Sequence, residues 1–592
     1  MTPPARRRLT TVVVLLMWAA LMATLLPWGL PTSGYDPLLF GGDSPWPARR
    51  YHAAEALEAR RSRLGGADTD LDPLSAGDRI VELTAGEADR AAILLRYRLY
   101  SRQPDEMITF QALSRMNPRQ GDFDPRLYQY GGGWIYVVAA GLGAAHVLGA
   151  VQLSSDLASY LESPEAFARF YLVARLVVLV FGAFALLAVK RLGERAGGRK
   201  AGWLALVVLA CCPAFITAAL EAKPHLPAVC MLLWALNSAL ELDAGRRRAA
   251  WKLGLQVGYA FGLVLTGLAG LALWPLLAKK GRLRRLLLAG ALFCGAYAAT
   301  NPYVVRNALL HRELLAGNLA NSTAMYRVGD VAHGMLRVAS LLVEGTGPAV
   351  VLLGLLGLWQ LLRRWPRQTL LTIAPAGALL ALGVLIGAGK PAEFARFLLL
   401  PMALLAIGSA AAVRRLAARR PTAGWVLAAL LVLTMRTGPY VRNFWIDARF
   451  ENESRHRAAG YLEQRVPKSE PIGLAQQPAP YAVGPLDFAH RRVVLLPARE
   501  PAADELARLP GWLVLTADDR RAWRGAWWTR YYREHAAFAA SRWELSRISW
   551  ANKPVYVLRL VAQPGKSRPG WSGGGAVRGL ASDGGRCTGM AQ

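Results

Sequence analysis

Apolar stretches about twenty residues long recur along most of this chain, and nothing else in it limits the possible folds as much. TVVVLLMWAALMATLLPWGL (11–30) and FYLVARLVVLVFGAFALLAV (170–189) are each long enough, as helices, to cross a hydrocarbon core of about 30 Å. Lipid offers no partner to an exposed N–H or C=O, so such runs must satisfy their backbones internally. Only 19 % of the 592 residues are charged, against about 25 % in a soluble domain. A single soluble domain is excluded, and the expected architecture is a polytopic membrane bundle.

The net charge of +30 has to be placed before it is interpreted. In a soluble protein it would suggest nucleic acid. Here the basic clusters KRLGERAGGRK (190–200), GRRRAAWK (245–252), KKGRLRR (279–285), RRWPR (363–367) and RRLAARR (414–420) each abut an apolar run. That is the pattern of loops facing the cytoplasm, so the expected partner is the lipid bilayer and not nucleic acid. Cys211, Cys212, Cys230 and Cys294 fall in apolar segments and Cys587 in a Gly/Ser-rich tail, so neither a disulfide nor a metal site is expected.

Arg6, Arg7 and Arg8 ahead of the first run predict a cytoplasmic N-terminus. That run is too long for a signal-peptide core and no cleavage pattern follows it, so it should remain as an anchor. The polar segment 31–130 then lies outside. Successive basic clusters demand an even number of crossings between them. The 201–244 stretch fits two helices breaking at Glu221–His225, and 253–278 fits two short helices or a re-entrant hairpin. The runs 286–301, 347–362, 369–388, 397–413 and 422–437 alternate outward and inward. The apolar segment 131–151 would break this parity and is read as a helix lying in the outer leaflet. The total is about eleven crossings, with the C-terminus outside.

Three regions lie beyond the spans. An outer loop (31–168) should form short helices on the membrane surface, because Ile93, Leu94, Leu95 and Leu99 are interspersed with Arg96, Arg98 and Arg102. The membrane domain ends near residue 440, and 445–562 reads as a small extracytoplasmic α/β domain. It has a helix at AAGYLEQRV (458–466) and strands at 471–475, 491–497, 511–517 and 554–560. AWRGAWWTRYYREHAAF (522–538) suggests an amphipathic helix or, alternatively, a carbohydrate-stacking surface. The tail 563–592 is expected to be disordered.

The outer loop also carries the candidate chemistry. Asp105 and Glu106 follow Pro104 and precede the helical run EMITFQALSRM; they could simply cap that helix. GDFDP (121–125) reads as a turn. Polar groups collect at three other outer helix ends: Glu221, Lys223 and His225; Asn301, Tyr303 and Arg306; Lys390, Glu393 and Arg396. An acid pair facing several cations at one membrane surface suits transfer of a group off a lipid phosphate. A carboxylate would take a proton from the acceptor and the cations would stabilise the departing phosphate. Lys223 and Arg396 could instead merely snorkel toward head groups.

Several motifs recur in a familiar order. They are P-D-E (104–106) before A-L-S-x-M-N-P, D-P-x-x-Y-x-Y-G (124–131), the stretch 197–236, T-N-P-Y (300–303) and A-R-F-L-L-L-P (395–401). Over residues 9–440 the chain resembles the GT-C superfamily of integral-membrane glycosyltransferases, in the branch of protein O-mannosyltransferases and the aminoarabinose transferase of lipid A. The resemblance implies inverting transfer of a sugar from a polyprenyl-phosphate donor to an extracytoplasmic acceptor, which could be protein, glycolipid or polysaccharide. It implies Asp105 as general base, Glu106 as its positioning partner, and Lys223, His225 and Arg396 on the lipid phosphate. Glu221, Tyr303 and Lys390 would line the substrate site. No metal or other cofactor is implied, and a bacterial inner membrane is. Many relatives have an Asp where this chain has His225, and Glu221 could substitute for it.

Two other classes fit parts of the pattern. A transporter or flippase for a lipid-linked precursor would need polar groups at mid-membrane, where only Arg175 interrupts the apolar runs. A non-enzymatic assembly factor, with the acids as helix caps, would be favoured if Asp105 lay far from Lys223 and Arg396. The topology itself has a direct test. A reporter active only in the cytoplasm should be silent when fused after residue 160 and active after residue 195; the reverse pattern would overturn the orientation.

Overall fold

The computed structural model describes residues 3–52, 54, 79–278, 283–325, 328–386, 392–497, 499–516, 526–539 and 548–561. Among these, five helices are long and apolar enough to cross a membrane: Pro164–Gly197, His225–Asp243, Pro366–Ile386, Ala395–Arg419 and Pro421–Ala448. Two further pairs qualify jointly, each bent at a short break: Arg199–Ala210 with Pro213–Ala219 at 67°, and Val331–Thr346 with Pro348–Arg364 at 106°. The chain is a multi-pass membrane protein. The count by length and composition is thus up to seven, against the eleven expected. The four expected crossings outside that count are 11–30, the two of 253–278 and 286–301. Leu9–Ala23 and Leu265–Leu277 are shorter apolar helices, as is Gly132–Val147, which is read from sequence as lying in the outer leaflet and is not among the eleven. A 16-residue helix such as Gly132–Val147 is only about 24 Å long, less than the hydrocarbon thickness.

Several breaks fall where the sequence put them. The 201–244 stretch divides at Glu221–Pro224 before the His225–Asp243 helix. The 253–278 stretch is a hairpin. Ala249–Leu263 ends at Val264 and a 3-10 segment, Leu265–Ala272, returns along it, with Gly267 against Ala260 and Gly270 against Val257. The sharp bend between Val331–Thr346 and Pro348–Arg364 is made at Gly347, whose φ of +90° suits glycine, and Pro348 restarts the helix.

In lipid, helix association relies on close backbone approach rather than on the hydrophobic effect. The Ala395–Arg419 span is the most enclosed of the five, with 94 % of its apolar window buried. It meets Pro348–Arg364 through glycines. A β-carbon at Gly357 would lie 1.8 Å from the Gly408 carbonyl oxygen, and one at Gly408 2.4 Å from that of Gly354. This central span begins at the 3-10 turn Ala392–Leu398, which carries Arg396.

Beyond the spans stands a six-stranded sheet of β1 (Val81–Glu82), β2 (Ile472–Leu474), β3 (Val493–Leu495), β4 (Trp512–Thr516), β5 (Tyr532–Phe538) and β6 (Val555–Leu560), in the order β1-β3-β2-β4-β6-β5. β3, β2 and β4 are parallel and buried, which explains their uninterrupted apolar sequences. The four expected strands are all present. Two more were not anticipated. β1 comes from the outer loop and pairs antiparallel with β3, so the sheet is built from both ends of the chain.

β5 corrects the amphipathic-helix reading of 522–538. Residues 526–538 form a 3-10 turn, Trp527–Arg530, and an edge strand antiparallel to β6 with an irregularity between Glu534 and Ala536. That extra residue breaks the two-residue alternation that would have marked a strand. Residues 517–525 and the tail 563–592 lie outside the described residues.

The outer loop also departs from expectation in what it faces. In the Glu87–Leu99 helix, Ile93, Leu94 and Leu99 are buried, but so are Arg96 and Arg98. Arg90 donates to the carbonyls of Phe488 and Arg491, and Arg96 to Gln477 Oε1 and the Pro478 carbonyl. Arg98 pairs with Asp36 at 2.6 Å. The mixed apolar and basic face therefore packs on the sheet domain and the loop's own start, not on lipid head groups. Arginine's five donors reach backbone carbonyls as readily as phosphates, so its sequence pattern does not distinguish the two.

Because the glycine contact between the two spans leaves no room for a side chain, Gly357→Leu should overpack it. The expected loss is about 3 kcal/mol or more, read as a lowered thermal midpoint and reduced yield of detergent-solubilised protein.

Candidate active site

Pro104 and the two residues after it form a turn leading into the Met107–Ser114 helix. Glu106 sits at the N-cap position, yet no side chain caps this helix. Both carboxylates point elsewhere, so the helix-cap explanation for the acid pair is not met.

Glu106 is fully buried and accepts four hydrogen bonds. Arg175 provides two, Nε to Oε1 at 2.9 Å and Nη2 to Oε2 at 2.7 Å; Ser101 Oγ provides one at 2.5 Å and the Ala222 backbone N–H one at 2.6 Å. Arg175 Nη1 donates in turn to the carbonyls of Leu26 at 2.5 Å and Trp28 at 2.7 Å, and its guanidinium lies 4.8 Å from the centre of the Trp28 ring. A lone arginine in an apolar span is tolerated only when its charge and donors are matched, and here they are. This pair joins the outer loop, the end of the first helix, the Pro164–Gly197 span and the 220–224 break.

Asp105 lies beside it, 18 % exposed at its side chain. Its Oδ2 accepts from Lys223 Nζ at 3.0 Å and from Arg396 Nη1, while its backbone N–H donates to Gln103 Oε1 at 2.6 Å. Burial opposes ionisation of this carboxyl. The charges and hydrogen bonds of Lys223 and Arg396 outweigh that and hold it well below the usual carboxylate range. Lys223 is itself buried and lies 3.5 Å from Glu221. Burial raises the Glu221 carboxyl, with Lys223 opposing, so the two acids beside one lysine are pushed in opposite directions.

His225 opens the following span. It is buried between the rings of Tyr130, at 6.1 Å, and Phe397, at 5.5 Å, and its Nδ1 has no hydrogen-bond partner among the described residues. A buried, unmatched imidazole nitrogen costs stability unless something arrives to meet it.

The fold thus gathers Asp105, Glu106, Glu221, Lys223, His225 and Arg396. Tyr303 makes a different contact: its hydroxyl accepts from the Phe123 N–H at 3.2 Å. It belongs to the clasp on the GDFDP turn, where Asn307 bridges Asp124 and Tyr128. Lys390 lies outside the described residues. Two residues important to the geometry were not assigned to the site from sequence. Arg175 carried a signal, since a buried arginine implies a buried acid. Arg102 did not: it is buried against Tyr35 and Asp447, and 3.0 Å from Glu453, anchoring the residues just before Asp105 to the end of the last span and the segment after it.

The chain matches no protein-family model and no curated protein. Among solved structures it is similar to ArnT from Cupriavidus metallidurans bound to undecaprenyl phosphate, with 13 % identity and a TM-score of 0.43 over 86 % of this chain and 98 % of that one. It is also similar to the Archaeoglobus fulgidus oligosaccharyltransferase in its apo form, with 13 % identity and a TM-score of 0.37 over 83 % of this chain and 75 % of that one.

Removing one partner of the Glu106–Arg175 pair should be far worse than removing both. Arg175→Met leaves a buried carboxylate unmatched and should cost about 3–5 kcal/mol. Combining it with Glu106→Gln should restore much of that loss, measured as the thermal midpoint of purified protein in detergent.

Proposed function

We propose that the chain is a GT-C-type glycosyltransferase that moves a sugar, with inversion, from a polyprenyl-phosphate donor to an acceptor outside the cytoplasm. The observation that carries this reading is the convergence of Asp105, Lys223 and Arg396 from three remote parts of the sequence onto one carboxylate oxygen. Separation of these groups would have favoured an assembly factor, and they are in contact. A transporter reading has no support from Arg175, whose charge is used to hold Glu106.

In the reaction, an acceptor hydroxyl attacks the anomeric carbon opposite the phosphate. A bond forms from acceptor oxygen to that carbon, the carbon–oxygen bond to phosphate breaks, and the polyprenyl phosphate leaves with the electron pair. The acceptor proton passes to Asp105. Lys223 and Arg396 stabilise the charge that grows on the phosphate. His225, with its unmatched nitrogen, supplies a further polar contact to the donor. The two cations take the place of a resident metal.

The resting geometry carries a consequence for this chemistry. A carboxylate held by two cations is a weak base, and general-base catalysis is most efficient when the base's pKa lies near the working pH. A donor phosphate competes with Asp105 for Lys223 and Arg396. Its binding draws their charge away and raises the basicity of Asp105 when the acceptor is to be deprotonated.

Asp105→Asn preserves size and leaves no cap unmade. With membranes carrying matched amounts of protein and a panel of polyprenyl-phosphate sugars, release of polyprenyl phosphate should fall by about 10²–10⁴-fold. Glu106→Gln should do less damage, and Lys223→Gln should weaken donor binding by about 30-fold or more. Transfer by Asp105→Asn at the wild-type rate would remove Asp105 from the chemistry.

A further inference from the structure

The helices that present the site at one end carry a second cluster at the other. Along Pro164–Gly197, Arg191 stands about 24 Å from Arg175; along His225–Asp243, Glu241 is likewise about 24 Å from His225. At that level, near the basic stretches 190–200 and 245–252, Ala249–Leu263 packs beside them. The three helices enclose an open groove of about 410 Å³.

Its chemistry is layered. Ser238 and Gln256 form a polar floor, hydrogen-bonded at 2.8 Å. Trp234 and Trp251 form the walls, and the Arg191 guanidinium stacks 4.6 Å from the centre of the Trp234 ring. The one acid present, Glu241, is already paired with Arg195 at 3.0 Å and Arg246 at 3.5 Å. Arg191 and Lys252 are exposed at the rim and have no carboxylate partner among the described residues. Exposed tryptophan and arginine at the end of apolar spans mark the depth of the membrane–water boundary. A groove at that depth with two uncompensated cations, aromatic walls and a hydrogen-bonding floor is complementary to a phosphodiester flanked by glycerol, with acyl chains running down the apolar helix faces.

We infer that this groove is a binding site for the head group of an anionic phospholipid, separate from the Asp105 site and independent of the reaction assigned there. Arg191 and Lys252 hold the phosphate charge, and the tryptophans hold the glycerol and upper acyl region. Because basic side chains at a membrane surface contribute about fivefold each to anionic-lipid affinity, the pair contributes about 30-fold.

The full chain in detergent, titrated with phosphatidylglycerol or phosphatidylcholine and read by native mass spectrometry, tests this. Wild type should bind one phosphatidylglycerol about 30-fold more tightly than phosphatidylcholine. Arg191→Gln with Lys252→Gln should abolish the preference, and each single variant should lose about fivefold. Arg199→Gln with Lys200→Gln, on the same basic stretch but outside the groove, should retain it. Equal affinity of wild type for the two lipids, a preference surviving in the groove variant, or loss of preference in the control would each overturn the proposal. So would displacement of phosphatidylglycerol by inorganic phosphate at equal concentration, which would make the occupant a free anion.

Discussion

The arrangement at Asp105 depends on the buried pair of Glu106 and Arg175. Two charges withdrawn from water persist only if the remaining donors and acceptors are matched, and this pair achieves that by drawing in backbone from two other segments. One of those bonds has a particular effect. Glu106 accepts from the Ala222 N–H, and the next residue after Ala222 is Lys223, just as the residue before Glu106 is Asp105. Fixing one backbone contact between the two dipeptides therefore sets the register of the ion pair beside it. The Asp105–Lys223 ion pair inherits its geometry from the buried pair beside it.

A second layer of buried charge holds that arrangement from outside the membrane. Arg102 bonds Asp447 and Tyr35 and lies beside Glu453, and Arg455 pairs with Glu453 at 2.8 Å. Burial works against the Arg102 charge, but Asp447 and Glu453 outweigh it and hold the guanidinium more firmly protonated than usual. Burial likewise opposes ionisation of Glu453, and Arg102 with Arg455 holds it below the usual carboxylate range. The soluble domain is thus fastened to the acidic turn by ionic contacts as well as by the shared sheet.

Much of this was legible in the sequence, for identifiable reasons. Apolar length and basic flanks are direct consequences of the bilayer as solvent, so the helix breaks at 221–224 and the hairpin after 249 could be read from one chain. Buried parallel strands are also plain, because both faces must be apolar: 472–474, 493–495 and 512–516 needed no alternation. The edge strand 532–538 was missed because a bulge scrambles its period, and β1 because two residues carry no pattern. At the site, residue type and sidedness singled out Asp105, Lys223 and Arg396, whereas the contact of Tyr303 with the 121–125 turn was not legible, because the sequence orders helix ends without fixing distances between them. Arg96, Arg98 and Arg102 were assigned to lipid because a guanidinium has the same appearance in sequence whether it meets phosphate, carboxylate or carbonyl.

The pairing of β1 with β3 has a consequence in time. Val81 and Glu82 wait for Leu495 and Val494, which are synthesised about 410 residues later. At typical rates of chain elongation that interval is about 20–80 s. Throughout it, Val81–Glu82 must stay unaggregated and the acidic turn at 104–106 is only partly anchored. A late segment therefore completes an early one, and a chain truncated before residue 493 lacks the partner that holds β1.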